Sequence, residues 1–305
     1  MYSIAIDSGG TKISGAVISD TGEMLEKTRY ENTGKSGDFF LDTYRAIIQS
    51  FLQKYDVSCI GIGCNGAVDT DKGLVVSCSL NYKNWVGRPI RKELEERFGL
   101  PVCLGNDCRA AIAGEEWVGA AKGYKDVLGI FVGTGLGGCY IHNGEIVTGS
   151  RNAMGEVGHG IMYPGGRACS CGQRGCAERY VSGTALWTSY NEKAAGERIH
   201  SGYEFFELYR QEDARAIEVL NQYIWDFSIL LATCAYHFDP DVIVIGGGLI
   251  ETREYWWDDL LKRYYNIGAP CGDGYVPVLA AQKGNDAALY GAARTAFRYL
   301  CAAES

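Results

Sequence analysis

One local pattern occurs twice in this chain. Ile4-Ala5-Ile6-Asp7-Ser8-Gly9-Gly10-Thr11 is an apolar strand running into a Gly/Thr turn, and a second strand, Ile13–Ser19, returns at once. Val127–Val132 has the same grammar: it enters Gly133-Thr134-Gly135-Leu136-Gly137-Gly138, Cys139-Tyr140-Ile141 returns, and an Asn143-Gly144 hairpin follows. Two copies of strand, glycine turn and strand, about one domain apart, point to a duplicated α/β unit with a cleft between the copies. A chain of 305 residues has room for two such lobes.

Composition narrows the class. Hydrophobic residues make up 47% and charged residues 22%, which excludes disorder, a fibrous repeat and a coiled coil. Lys plus Arg number 29 against 37 Asp plus Glu, and a net charge of −8 is the wrong sign for nonspecific nucleic-acid or anionic-membrane binding. Glycine, at 41 against 6 prolines, suits tight strand turns and close backbone approach to a ligand. The 12 cysteines are not a disulfide scaffold, since a core of this size needs no staples. Met1 leads straight into the strand-like Tyr2-Ser3-Ile4, and the apolar stretch near Ile229 to Phe238 is too short to span a bilayer. The expected compartment is the reducing cytoplasm, with cysteines such as Cys59 and Cys103 acting as small buried hydrophobes.

Periodicity supplies the remaining elements. Strands are expected at Met24–Tyr30, Ser58–Gly63, Pro101–Leu104, Asp241–Ile245 and Val276–Ala281. Apolar residues at helical spacing from Phe40 to Tyr55 predict a helix, as do Arg91–Phe98, Ala110–Val118 and Asp286–Leu300.

Four segments suit ligand chemistry. In Asp7-Ser8-Gly9-Gly10-Thr11-Lys12, bare glycine N–H groups, a hydroxyl and an ammonium suit phosphate oxygens, and Asp7 suits a hydrated Mg²⁺; a plain hairpin is the alternative. Neither a Walker A loop nor a Rossmann fingerprint is present. Gly133–Gly138 is a second glycine cradle, and Gly246-Gly247-Gly248 after an apolar strand would let a flat nucleoside lie against backbone. Asn106-Asp107 ends a strand ahead of a helix. There Asp107 suits proton abstraction from a hydroxyl, with Asn106 positioning that group, or the pair is simply a helix cap.

The most specific pattern is His159 followed by Cys169, Cys171 and Cys176. Three thiols and an imidazole form a complete tetrahedral set for a structural zinc, with no vacant position for catalysis. The loop they would hold also carries Glu156 and Glu178, both candidates for binding hydroxyls.

Together DSGGTK, GNDCRAAIAGE, GTGLGG, GEVGHG, the CSCGQRGCAE block and IGGG follow the order and spacing of the ROK family (repressors, open reading frames and sugar kinases) over essentially the whole chain. The resemblance implies a duplicated actin-like, ribonuclease H-like ATPase fold. A small lobe would hold residues 1–118 and 288–305 and a large lobe residues 119–287, with an interlobe cleft. It further implies an ATP- and Mg²⁺-dependent hexose kinase resembling bacterial glucokinases. Residues 7–12 and 133–138 would hold the phosphates and 246–248 would lie near adenosine. Asp107 would be the general base, and Asn65, Gly66, Asn106, Glu156, His159 and Glu178 would surround the sugar. His159 would also ligate zinc, and the enzyme would be a homodimer.

The sequence departs from the family pattern at Asn65 (usually Pro), Gly105 (usually Glu), Arg109 (usually Asn) and Cys139 (commonly Gly), which bears on the identity of the sugar. Glucose is expected first and an N-acetylhexosamine such as N-acetylmannosamine second. The family's repressors carry a winged helix-turn-helix ahead of the core; here the phosphate turn begins at residue 7, so no DNA-binding role is expected.

Overall fold

The structure, a computed structural model, describes all residues except 35, 79–81, 194–197, 268–273 and 304–305. The chain divides into two compact units. Unit 1 comprises Met1–Gly123, Thr148–Asn152 and Gln282–Ser305; unit 2 comprises Tyr124–Val147 and Ala153–Ala281.

Unit 1 is built on a five-stranded sheet of β1 (Tyr2–Ser8), β2 (Lys12–Ser19), β3 (Met24–Glu31), β4 (Cys59–Cys64) and β7 (Val102–Asn106), in the order β3-β2-β1-β4-β7. A small hairpin, β5 (Ala67–Asp69) with β6 (Leu74–Ser77), follows β4 and has no counterpart among the sequence expectations. The helices are α1 (Gly37–Leu52), α2 (Ile90–Phe98), α3 (Asp107–Val118) and α8 (Ala287–Ala303). Alternation along β1 explains the layering. Ile4 and Ile6 face the core that holds Phe40, Tyr44 and Ile48 of α1 and Leu94 of α2. Ala5 faces the opposite core, with Leu289, Ala292 and Ala296 of α8. Helix α1 starts where the Ser36 hydroxyl accepts the Phe39 N–H and stops at Gln53, short of the expected Tyr55, whose hydroxyl instead binds Glu26.

Unit 2 repeats the plan. Its sheet joins β8 (Val127–Val132), β9 (Leu136–His142), β10 (Glu145–Val147), β11 (Val242–Gly246) and β12 (Val278–Ala280), in the order β10-β9-β8-β11-β12. In each unit the first two strands pair antiparallel, and the strand beside the first runs parallel to it. The duplication expected from the two glycine turns is therefore present as matching sheet order. Helices α4 (Gly183–Lys193), α5 (Gly202–Arg210), α6 (Ala214–Phe238) and α7 (Trp257–Ile267) carry much of one core, in which Phe205, Leu220, Phe227, Leu231 and Trp256 pack with Ile243 and Ile245. No helix among the described residues is long and apolar enough to cross a membrane.

Three expectations are revised. The unit boundaries lie at 123/124 and 281/282 rather than 118/119 and 287/288. The fully buried Glu115 of α3 explains the shift: it accepts the N–H groups of Gln282 and Lys283 and ties that segment to unit 1. Likewise, Arg109 donates to the Asn152 carbonyl at 2.6 Å within the 148–152 segment. Second, Gly137 and Gly138 are not part of a turn; they pair with Phe131 and Ile130 inside the β8–β9 ladder. Third, the nine cysteines outside the metal motif are not all core thiols. Cys59, Cys64, Cys103, Cys139 and Cys234 are buried, but Cys78 and Cys108 are half-buried and Cys301 is exposed, while Cys271 lies outside the described residues.

Candidate active site

In unit 1 the strand ends gather the polar groups. Strands β1, β4 and β7 run parallel, so Asp7 pairs with Gly63 and Cys64 with Asn106 at the carboxyl edge of the sheet, where α/β folds collect ligands. Asn106 is the N-cap of α3: its Oδ1 accepts the Arg109 N–H at 3.1 Å. Its Nδ2 donates to the Gly66 carbonyl at 2.9 Å and to Asp107 Oδ1 at 3.0 Å. That oxygen also accepts the Cys108 N–H at 2.8 Å, and the Cys108 side chain is a further hydrogen-bond partner of the carboxylate. Asn106, not Asp107, is thus the helix cap, which leaves the Asp107 carboxylate outside the capping bond.

Burial pushes the Asp107 carboxyl up to about 6, against the lowering effect of its hydrogen bonds. Asp7 is pushed up to about 7, first by burial and then by the Asp107 charge, with Lys12 acting in the opposite sense. No hydrogen bond reaches the Asp7 carboxylate among the described residues. Two buried carboxylates with so little compensating positive charge are a donor set that fits a divalent cation.

Asn65 follows β4. Its Oδ1 accepts from the Cys78 thiol at 3.2 Å and its carbonyl from Trp85 Nε1 at 3.3 Å, while Nδ2 donates to no described residue.

In unit 2 the expected metal ligands converge. One donor atom from each of His159, Cys169, Cys171 and Cys176 lies within 4.8 Å of all the others. Cys169 Sγ is 3.8 Å from His159 Nδ1, and Cys171 Sγ is 3.6 Å from Cys176 Sγ. Zinc–sulfur bonds of about 2.3 Å would put tetrahedral sulfurs about 3.8 Å apart, so the set fits zinc. Hydrogen bonds from Gln173 pull the Cys171 thiol down to about 6, and burial raises Cys176 to about 12.

Glu178 joins this loop to the glycine turn. Its Oε2 accepts the Leu136 N–H at 3.1 Å and its Oε1 lies 3.9 Å from Cys169 Sγ. A Cβ on Gly135 would meet that Oε2 at 2.4 Å, which explains the glycine. Gly133 closes the turn through its N–H to the Gly135 carbonyl at 2.9 Å. Gly247, at φ +89°, sits where a Cβ would fall 2.5 Å from the Val132 carbonyl oxygen. Glu156 is exposed.

The sequence profile of the ROK family matches residues 3–298. The chain belongs to the ROK family. It is 30% identical over 307 residues to a glucokinase of Thermotoga maritima, with 95% of each chain covered. The ROK hexokinase of Thermus thermophilus superposes with a TM-score of 0.89 at 32% identity, covering 99% of this chain and 100% of that one. A ROK glucokinase of Streptomyces griseus, solved with glucose and AMPPNP, superposes with a TM-score of 0.81 at 32% identity, covering 98% and 100%. These solved folds agree with the α/β architecture expected from the ROK motifs.

The sequence motifs of this ROK chain leave the supporting roles of several residues undetected. Ser8, fully buried, exchanges a 2.5 Å hydrogen bond with Tyr44 of α1 and bonds the Gly63 carbonyl, fixing the strand end that carries Asp7. Glu115 closes the GNDCRAAIAGE motif, but the motif gave it no role, and its bonds to Gln282 and Lys283 are what assign one. A tyrosine on the apolar stripe of α1 was the available hint for Tyr44, because its hydroxyl needs a partner when buried.

Proposed function

We propose that this ROK protein transfers the γ-phosphoryl group of ATP to a hydroxyl of a hexose, with glucose to glucose 6-phosphate as the leading reaction. Asp107 carries the proposal. It is a buried carboxylate at a strand end, oriented by Asn106 and the Cys108 N–H, with a pKa near 6. A base of that strength is largely ionised at neutral pH yet basic enough to accept a proton in the transition state.

The sugar hydroxyl gives its proton to Asp107 as its oxygen attacks the γ-phosphorus in line; the bond to the β-phosphate oxygen breaks and ADP leaves. Asn106 keeps Asp107 oriented. The Gly9, Gly10, Thr11 and Lys12 turn takes phosphate oxygens, as do Gly133, Thr134 and Gly135, and Gly246 to Gly248 lie along the nucleoside. Gly137 and Gly138 act through strand β9, which fixes that second turn. Asp7 would hold Mg²⁺, which would supply charge neutralisation at the phosphates. Most of the rate enhancement then comes from positioning and charge stabilisation. Asn65, Gly66, Glu156, His159 and Glu178 contact the sugar. A structural zinc on His159, Cys169, Cys171 and Cys176 fixes the loop bearing Glu178. The working form is a cytoplasmic homodimer.

Asn65 favours a second reading, an N-acetylhexosamine substrate, because an unpartnered amide donor suits an acetamido carbonyl. Purified protein assayed for ADP release with glucose, mannose, N-acetylglucosamine and N-acetylmannosamine separates the two. Sugar-dependent ADP release is expected, highest with glucose. No sugar-dependent release from any hexose would overturn the kinase reading. Light scattering at twice the chain mass tests the dimer.

A further inference from the structure

We propose that Asn32 is a positioning residue for nucleotide binding, setting the peptide orientation of the 9–12 turn so that its N–H groups point at the phosphates of ATP. The inference rests on the reading of that turn as the phosphate site. Asn32 lies just beyond β3, only 4% exposed and outside every motif of the sequence. Its Nδ2 donates to the carbonyls of Gly9 at 3.2 Å and Gly10 at 3.3 Å. Its own N–H donates to the Thr11 carbonyl at 2.9 Å. Three successive carbonyls therefore face one residue.

In a trans peptide the carbonyl of one residue and the N–H of the next point in opposite directions. With the carbonyls of Gly9, Gly10 and Thr11 drawn to Asn32, the N–H groups of Gly10, Thr11 and Lys12 turn to the other side. Among the described residues, the N–H groups of Gly10 and Thr11 have no protein acceptor. Adjacent unpaired donors next to the Lys12 charge are an anion-binding concavity. The turn is closed by the Gly9 N–H to the Lys12 carbonyl at 3.0 Å, and it needs a further restraint to keep the intervening peptides from flipping. Asn32 supplies it. The Asn32 side chain is itself held by a hydrogen bond with Tyr82, whose ring packs edge-on against the buried Phe40 at 5.1 Å.

A flipped peptide would set a carbonyl dipole against phosphate and leave the nucleoside untouched. Binding of ATP and of adenosine, measured by calorimetry on the whole protein, therefore separates positioning from general damage. Asn32→Ala is expected to weaken ATP about tenfold to thirtyfold, as for one to two lost hydrogen bonds. Adenosine affinity and the KM for glucose should stay within about twofold of wild type by the same reasoning. Asn32→Ser, which keeps a short donor, should fall between, and it carries the same comparison if Asn32→Ala does not fold. Equal weakening of ATP and adenosine, or unchanged ATP affinity, overturns the role of Asn32. If wild type binds ATP no more tightly than adenosine, the phosphate reading of the turn is itself overturned, and the inference with it.

Discussion

Units 1 and 2 lay down matching sheets, yet what stands at equivalent strand ends differs. The first strand of unit 1 ends in Asp7-Ser8; the Tyr44 hydroxyl holds Ser8, and the Asn32 amide holds the turn that follows. The first strand of unit 2 ends in Val132 before Gly133, with no carboxylate on the strand end. Its turn is held instead by Glu178, from a loop of Cys and His ligands and 3₁₀ turns. Buried charge is costly, and one sheet carries Asp7 and Asp107, both desolvated, at its strand ends. The other carries bare backbone and a side-chain cluster outside the sheet. On the proposed function, the reactive groups and the cradle fall on separate copies of one sheet plan.

The Cys/His cluster, with its proposed zinc, gives the largest test of this difference. Structural zinc contributes on the order of 10 kcal/mol to small folded sites. Stripping the metal with a strong chelator, or Cys176→Ser, should lower the melting transition of unit 2 by more than about 10 °C, since about 2–4 °C follows each kcal/mol in a domain of this size. Elemental analysis should find one zinc per chain. A chelated protein with an unchanged calorimetric trace would erase the proposed division of labour.

Next in size is Asp107→Asn. Loss of a general base costs about 10²–10⁴ in kcat. The amide keeps the shape of the site, so the KM for sugar and the zinc content should be unchanged. In wild type, log kcat/KM should fall with decreasing pH below about 6, where Asp107 takes up its proton. A flat profile through that range, or a variant with normal turnover, would remove Asp107 from the chemistry.

Glycines at strand ends make the third test. Gly247→Ala in unit 2 forces a Cβ at φ +89° to within 2.5 Å of the Val132 carbonyl, and should cost about 2–3 kcal/mol and raise the KM for ATP. Gly105→Ala in unit 1 meets nothing within 4 Å and has no positive φ; it should change stability by less than about 0.5 kcal/mol. Equal effects in thermal melts would show that the two strand ends are under the same steric constraint after all.

The sequence made the duplication legible because strand alternation and glycine turns are local signals, and the Cys/His cluster legible because all four of its residues fall between residues 159 and 176. Asp107 and Asn106 were legible as a pair, and the cap is a local bond from the Arg109 N–H to Asn106, but the bond from the Asn106 amide to the Gly66 carbonyl joins residues distant in sequence. Asn32, Tyr44 and Glu115 act through contacts with residues far along the chain. No short-range pattern encodes such contacts. The β5–β6 hairpin escaped for another reason: its first strand is three residues long, too short to show a period.

The smallest effect is also the one that ties charge to stability. The folded pKa of Asp7 is raised from 3.8 to about 7. The folded state therefore holds a proton that the unfolded chain releases, and this contribution is full below about pH 4. It is lost as pH rises through about 7. Asp7→Asn cannot lose it. Relative to wild type, the variant should be equally stable near pH 4 and more stable above pH 7, by about 1–2 kcal/mol once partial solvent access to the carboxylate is allowed for. Saturating Mg²⁺ and ATP should reverse the order, because only wild type gains the ligand's binding energy through Asp7. Thermal melts at pH 4.5 and 8, with and without nucleotide, read all four corners. A variant no more stable at pH 8 than at pH 4.5, relative to wild type, would mean that unit 1 bears its charge at no cost, and would remove the physical reason for keeping carboxylates off the matching strand of unit 2.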